Sequence, residues 1–167
     1  MNLSSGETLV HFSVAGLGSG LDDERIGECW CLVSLRITTR YFHYSKVNDE
    51  MLGFCEVSYL RDKLDELLED KIQQPKTVGF TEPDIALKLY PKFDLRASPD
   101  IAHAKEGRAI QGIYAELIIN LADSILGYNG QSYTIPLDRA ELVSLKEYID
   151  RRIPALEEQW ESRRAHR

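Results

Sequence analysis

The sequence predicts an α+β domain in which a mainly antiparallel β-sheet of about five to seven strands packs against two amphipathic helices. Three observations support this fold class. Alternation of apolar and polar residues, typical of strands, recurs along the chain. Helical spacing of apolar residues occurs in only two stretches. No regular strand–helix–strand alternation is present, so we expect hairpins rather than the crossovers that parallel strands need.

The first part of the chain is predicted to form two strands and a hairpin partner. Residues 8–14 alternate in the manner of a strand with one buried face. A connection rich in glycine and acidic residues follows, and residues 29–38 form a second strand that is buried on both faces at its start. Residues 40–45 extend this strand or pair with it as a hairpin.

Two stretches carry apolar residues at helical spacing, and we expect amphipathic helices over roughly 57–73 and 139–160. The first should end before Pro75, because proline cannot continue the backbone hydrogen-bond ladder. The second should begin after Asp138, which has capping-box spacing to Glu141. The helical residues expected in the core are Leu60, Leu64, Leu67, Leu145 and Ile149.

The strands of the second half are predicted at residues 77–82, 85–90, 109–122 and 132–137, with a long loop over 91–108.

The length of the chain suits one domain, and we expect residues 1–167 to form it. Residues 1–7 and 161–167 are expected to be flexible. Pro154 lies inside the second helical pattern and predicts a kink or a break there.

Charge is the clearest compositional feature, since 27 acidic residues outnumber 20 basic ones and give a net charge of −7. This balance argues against direct binding of nucleic acid, which needs a basic surface. It is compatible with an acidic patch that docks a basic partner, although net acidity by itself more often reflects plain solubility. No apolar run is long enough to span a membrane, and the N-terminal stretch does not have the pattern of a signal peptide. We therefore expect a cytoplasmic protein without a membrane partner.

Two acidic clusters are candidate docking surfaces. The predicted first helix carries five carboxylates on its acidic face, Asp62, Asp65, Glu66, Glu69 and Asp70. The glycine-rich connection carries a second cluster, Asp22, Asp23 and Glu24. Solvated acids are common on amphipathic helices, so the pattern alone does not separate a binding surface from an ordinary exposed face.

Cys29 and Cys31 flank Trp30 and point to the same side of a strand, so they could share a metal. A zinc site needs four ligands, and no second pair of Cys or His stands at a suitable spacing. Free cysteine is also among the most buried residue types. We therefore expect buried thiols, no metal site and no cofactor.

Catalytic motifs are also missing from the sequence: no nucleophile elbow and no metalloprotease signature is present. The chain is therefore not expected to be an enzyme. Glu116 lies in the middle of a predicted strand and is expected to be a surface residue.

Several segments, in this order along the chain, are similar to the WapI-type immunity proteins of bacterial polymorphic toxin and contact-dependent inhibition systems. They are "ECWCLVSLRITT", "EVSYLRDKLDELLED", "VGFTEPDIALKLYP" and "SYTIPLDRAELVSLKEYIDRRIPALEEQW". The most specific piece is "FTEPDIALKL", which resembles the family's strand after a Phe-Thr-Glu-Pro turn.

The resemblance implies a binding protein without catalysis. Its partner would be the C-terminal domain of a cognate toxin, often a nuclease that acts on tRNA and therefore basic. The resemblance does not mark the binding residues, so the two acidic clusters remain the candidates. The alternative is a small metal-binding or ligand-binding protein that uses Cys29 and Cys31.

Overall fold

Eight strands in two antiparallel four-stranded sheets, with two helices, form the framework of the described part of this computed structural model. The structure describes residues 1–5, 7–18, 26, 29–94, 111–121 and 132–166.

The first sheet is a succession of hairpins in chain order. Its strands are β1 (Asn2–Ser5), β2 (Thr8–Leu17), β3 (Trp30–Thr38) and β4 (His43–Gly53). Alternate residues of β2 and β3 point to the core, as the sequence pattern predicts. Residues 40–45 form the turn and the start of a hairpin partner rather than an extension of β3.

The strands of the second sheet are β5 (Lys76–Gly79), β6 (Ile85–Leu89), β9 (Ala115–Asn120) and β10 (Ser132–Leu137). Their order across the sheet is β10–β9–β6–β5. Two further segments, β7 (Phe93–Asp94) and β8 (Gln111–Gly112), form a separate two-residue ladder. The strand predicted over 109–122 is therefore divided in its described part, and its ends lie outside the described residues.

The predicted fold class, a mainly antiparallel α+β domain with two helices, is confirmed. In detail, the strands divide into two sheets instead of one. The start of the chain also differs from the expected flexible segment, because β1 pairs with β2 from Asn2 to Ser5. Leu3 is buried there, and the N-terminal ammonium donates a hydrogen bond to the Phe12 carbonyl oxygen (2.7 Å).

The first helix, α1, spans Phe54–Leu68 and so begins and ends earlier than the apolar spacing predicts. It begins after Gly53, whose amide N–H donates to Oε2 of Glu56 (2.8 Å). It ends in a Schellman motif: the Lys71 N–H donates to the Glu66 carbonyl (2.8 Å), and Asp70 has a positive φ of 63°. Pro75 therefore does not set the end of the helix.

The second helix, α2, spans Arg139–Ala165 and continues through Pro154 without a break. It also includes most of residues 161–167, which were expected to be flexible. The predicted capping box is confirmed, since Oδ1 of Asp138 accepts from the Glu141 N–H (3.0 Å). Contacts with β2 hold the helix on both sides of the proline. Arg152 donates to the Ala15 carbonyl (2.9 Å), and beyond Pro154 the side chain of Arg163 donates to the Leu17 carbonyl (2.9 Å). These tertiary bonds compensate for the backbone bond that proline removes.

The helices and both sheets share one hydrophobic core. All five helical residues predicted to be buried are buried. A small apolar cavity of about 20 Å³ lies where the layers meet. It is lined by Leu3 and Phe12 of the first sheet, Ile85, Leu87 and Leu117 of the second, and Leu60, Leu145 and Phe80.

The turn over residues 80–84 connects the second sheet to the rest of the domain. Thr81 donates to Oε1 of Glu56 through its backbone N–H (2.5 Å) and its hydroxyl (2.8 Å). Asp84 accepts a hydrogen bond from Lys46 of β4 (2.6 Å), and its carbonyl accepts one from the Asn120 N–H (2.8 Å). This turn is the "FTEPD" segment on which the family resemblance mainly rests, and its visible role is structural.

Candidate functional site

The five carboxylates predicted around the first helix are all accessible. Asp62, Asp65 and Glu66 lie on α1, whereas Glu69 caps its C-terminus and Asp70 lies in the turn beyond it. Their side chains are between 36% and 56% exposed. The structure thus places the five residues along the second half of α1 and the turn beyond it, and only three of them are helical.

Each of these carboxylates is paired with a cation. Asp65 lies 3.2 Å from Nζ of Lys146 on α2, and Asp70 lies 3.3 Å from Nζ of Lys92. The remaining pairs are Arg61–Asp62 (2.7 Å), Lys63–Glu66 and Lys71–Glu69, and Lys146 also contacts Asp150 (2.7 Å). We call these eleven residues the α1 ion-pair surface. With six carboxylates and five basic groups, it is close to neutral rather than strongly acidic.

The position of three of these carboxylates near the C-terminal end of α1 makes their pairing with cations favourable. A helix C-terminus carries partial negative charge, so carboxylates are unfavourable there. Glu66, Glu69 and Asp70 lie at this end of α1, and its last turn contains no basic residue. Hydrogen bonds from Lys71 lower the pKa of Glu69. The Asp150 and Asp65 carboxylates raise the pKa of Lys146.

The second acidic cluster, Asp22, Asp23 and Glu24, lies outside the described residues. The structure does describe the residues that lead into it. The Leu17 N–H donates to Oε1 of Gln159 (2.8 Å), and Arg163 donates to the Gly18 carbonyl (2.7 Å). The C-terminal part of α2 therefore holds the beginning of this connection.

Cys29 and Cys31 are buried, as predicted. Burial raises the pKa of Cys31 to about 12, and the neighbouring Cys29 adds to the shift. A thiol in this state is a poor metal ligand, because the ligand form is the thiolate. Within the described residues, no group of three or more Cys, His, Asp or Glu side chains is arranged to hold a metal ion.

We expect a thiol reagent to modify Cys55 readily in the folded protein, and Cys29 and Cys31 only after unfolding. Cys55 is the exposed member of the three cysteines, whereas the other two are buried. Mass spectrometry after brief alkylation near pH 8 should find one modified thiol per chain. Cys55→Ser is the control and should leave the folded protein unmodified. Two or three fast modifications of the native protein would contradict the buried placement.

Glu116 has more polar partners than an ordinary surface residue. Its carboxylate accepts hydrogen bonds from the hydroxyls of Tyr90 (2.7 Å) and Tyr114 (3.1 Å), and Lys88 lies 3.9 Å away. Burial, followed by the bond to Glu116, raises the pKa of Tyr114 to about 12. These four side chains pair with one another across β6 and β9, and the cluster therefore stabilises the sheet.

In the part of the chain that the structure describes, neither helix combines the length and apolar character that a bilayer crossing requires.

Comparisons with known proteins give one functional lead. Among solved structures, the chain is similar to one titled "Structure of the plant transcriptional regulator PBF-2", with a TM-score of 0.47 and 13% sequence identity. The match covers 100% of this chain and 86% of the other, and a likeness at this level says nothing about function. No curated protein matches the chain. A family model described as the immunity protein WapI-like family matches residues 2–156. This match spans nearly the whole domain, and the chain therefore belongs to the WapI-like immunity protein family.

Proposed function

We propose that this protein binds the C-terminal domain of a cognate bacterial toxin in the cytoplasm and blocks its active or substrate-binding surface. The observation that carries the proposal is the family match over residues 2–156. We further propose that the toxin is a basic nuclease, with tRNA as the substrate to test first. The immunity protein acts by binding alone, without turnover.

Charge supports the proposed partner. A nuclease needs basic groups to hold the phosphates of its substrate, whereas this chain has a net charge of −7. Opposite charges accelerate the encounter of two proteins, and this effect weakens with salt. An acidic inhibitor can therefore associate rapidly with a basic nuclease and exclude nucleic acid from it.

The α1 ion-pair surface is the proposed docking face, with Asp22, Asp23 and Glu24 as the second candidate. Its internal ion pairs do not exclude this role. Exposed ion pairs contribute only about 0–1 kcal/mol each, so a basic partner can displace a lysine at low cost. The carboxylates are exposed enough to accept such a partner. They are expected to contribute more to the association rate than to the lifetime of the complex.

Co-expression tests the function directly. Cells that produce the toxin domain encoded next to this gene should die, and cells that also produce this protein should survive. The two proteins should then co-purify. Death of the co-expressing cells, although the immunity protein is soluble and folded, would contradict the proposal.

Neutralising three carboxylates of the docking face should slow association. We expect the triple variant Asp65→Asn, Glu66→Gln and Glu69→Gln to bind about three- to tenfold more slowly at low salt, with a smaller difference at high salt. Neutral side chains are preferable to lysine here, because lysine would face Lys146, Lys63 and Lys71.

The matched control changes the net charge by the same amount elsewhere. Its substitutions are Glu157→Gln, Glu158→Gln and Glu161→Gln, at exposed positions of α2 that form no ion pair with any other described residue. Stopped-flow association rates of the two variants are then compared. Equal rates would show that net charge, and not the α1 ion-pair surface, governs the encounter.

A further inference from the structure

The outer edge of β2 loses its neighbouring strand part-way along. β1 pairs with β2 only over residues 8–11, whereas β3 pairs with the other edge of β2 as far as Leu17. Met1 continues the pairing by one step, because its carbonyl oxygen accepts from the Phe12 N–H (3.0 Å). From Val14 onwards, none of the described strands lies along this edge. An uncovered edge presents N–H and C=O groups with which another strand can pair.

Side chains of α2 accept hydrogen bonds from the N–H groups of this edge. The Tyr148 hydroxyl accepts from the Val14 N–H (2.7 Å), and Oε1 of Gln159 accepts from the Leu17 N–H (2.8 Å). Gly16 allows the amide of Gln159 to come this close, since a Cβ at position 16 would lie 2.9 Å from its Oε1. The N–H groups therefore have acceptors although no strand supplies them.

Two arginines of α2 donate to the carbonyl groups of the same edge. Arg152 donates to the Ala15 carbonyl (2.9 Å). Arg163 donates to the carbonyls of Leu17 (2.9 Å) and Gly18 (2.7 Å) through its two terminal nitrogens. The spacing of the four helical residues follows the helical repeat, which places them on one face of α2. We call these four side chains the edge ladder: Tyr148, Arg152, Gln159 and Arg163.

The covered part of β2 has little protection of its own. Residues 13–18, "SVAGLG", contain a bulge between Val14 and Gly16 but no charge. Exposed edges are usually protected by charged side chains, bulges or short length. β4, which pairs on one side only, carries Lys46 and Asp49 beside its bulge, and the edge strand β5 has only four residues. The uncharged segment of β2 is thus the edge that most needs a cover.

We propose that the edge ladder keeps this protein monomeric, because it occupies the hydrogen bonds of β2 that a second copy of the chain would otherwise use. When the ladder is removed, the β2 edges of two copies pair antiparallel about a two-fold axis, so that one surface serves both partners. The ladder supplies acceptors for N–H groups and donors for C=O groups, as an antiparallel strand does. This role is independent of the proposed function.

Sedimentation equilibrium of the full chain at increasing concentrations tests this role. The double variant Gln159→Ala and Arg163→Ala frees the backbone groups of Leu17 and the carbonyl of Gly18. We expect the wild type to keep the monomer mass of 19.1 kDa. The average mass of the double variant should rise about twofold with concentration, as a two-fold dimer requires.

The matched control combines Arg151→Ala with Ser162→Ala. Both residues are exposed on α2, and neither side chain forms a hydrogen bond to the described part of β2. The control also removes one positive charge, as the double variant does. It should therefore remain monomeric at every concentration.

A cross-link locates the contact. Ala15 is exposed and lies at the middle of residues 12–18, so antiparallel pairing centred there brings the two copies of this position together. Ala15→Cys is introduced with Cys55→Ser, because Cys55 is the exposed thiol among the three cysteines. With oxidised glutathione as the oxidant, an intermolecular disulfide should form readily in the double variant and much more slowly when the ladder is intact.

The outcomes are distinct. A double variant that is folded by near-UV circular dichroism but stays monomeric would overturn the inference, and so would a wild type with twice the monomer mass. A dimer that the Ala15→Cys thiols do not cross-link would place the contact elsewhere and overturn it as well. If the double variant unfolds, Gln159→Ala and Arg163→Ala are measured singly, and a monomeric mass for both would contradict the proposed role.

Discussion

Leu64→Ala is expected to lower the free energy of unfolding by about 2–5 kcal/mol. Leu64 lies on α1 between Leu60 and Leu67, and no part of it reaches solvent. Truncation removes apolar surface that is buried on folding and leaves a cavity in a tightly packed core. Because α1 and α2 pack against each other, the loss affects the joint core of the domain. Urea unfolding followed by far-UV circular dichroism measures the difference.

The control for this substitution is Leu9→Ala. Leu9 is 46% exposed on β2, so its truncation should change the unfolding free energy by about 1 kcal/mol or less. If Leu64→Ala destabilises no more than Leu9→Ala, the packing of α1 against the core is wrong.

Glu56→Ala is expected to cost about 2–4 kcal/mol, a large effect for a polar residue that is not fully buried. One carboxylate accepts three hydrogen bonds: from the N–H of Gly53 (2.8 Å), and from the N–H (2.5 Å) and the hydroxyl (2.8 Å) of Thr81. Its loss uncaps the start of α1 and also releases the turn over residues 80–84 from the helix. Hydrogen bonds to a charged acceptor are stronger than those between neutral groups.

Glu157→Ala is the matched control, because it removes an exposed glutamate from α2 that forms no ion pair with any described residue. Its effect should lie within about 0.5 kcal/mol. Glu56→Gln should fall between the two, since an amide keeps only one acceptor oxygen. Chemical denaturation measures the stability of all three variants. Equal stabilities of Glu56→Ala and Glu157→Ala would contradict the capping role of Glu56.

Local pattern was sufficient to predict both helices and most of the strands, but not their ends, and it did not predict β1 or most of β4. The alternation along β2 and β3 and the helical spacing around Leu64 depend on neighbouring residues, and these predictions are confirmed. The end of α1 was misplaced because Asp70 adopts a left-handed conformation that favours glycine, and the sequence contains no glycine there to signal it. Pro154 was expected to kink or to break the second helix, and of these two the break does not occur, because contacts with β2 on both sides of the proline keep α2 continuous.

Strand pairing between distant parts of the chain explains the other differences between the predicted and the observed fold. The division of the strands into two sheets, and the pairing of β1 with β2, depend on contacts that a one-dimensional pattern does not contain. Leu3 is the one apolar side chain among residues 2–5, so the strand signal there was weak.

The candidate site was predictable only as a set of charges. The sequence shows the carboxylates around α1, but Lys92 and Lys146, which neutralise two of them, come from distant parts of the chain. The acidity of this surface was therefore overestimated. The exposure of Tyr41 was not predictable, because residues 40–45 were expected either to extend the second strand or to pair with it, and this exposure depends on where the hairpin reverses.

The central claim is that this protein neutralises a toxin by binding it. The most direct measurement is a titration of the purified protein into a fixed concentration of the neighbouring toxin domain, with cleavage of tRNA as the readout. The account predicts that activity falls linearly and is abolished at about one equivalent, as a tight, non-catalytic inhibitor requires. Full cleavage in the presence of excess folded protein would contradict the account. Complete inactivation at a small fraction of one equivalent would contradict it as well, because it would show turnover.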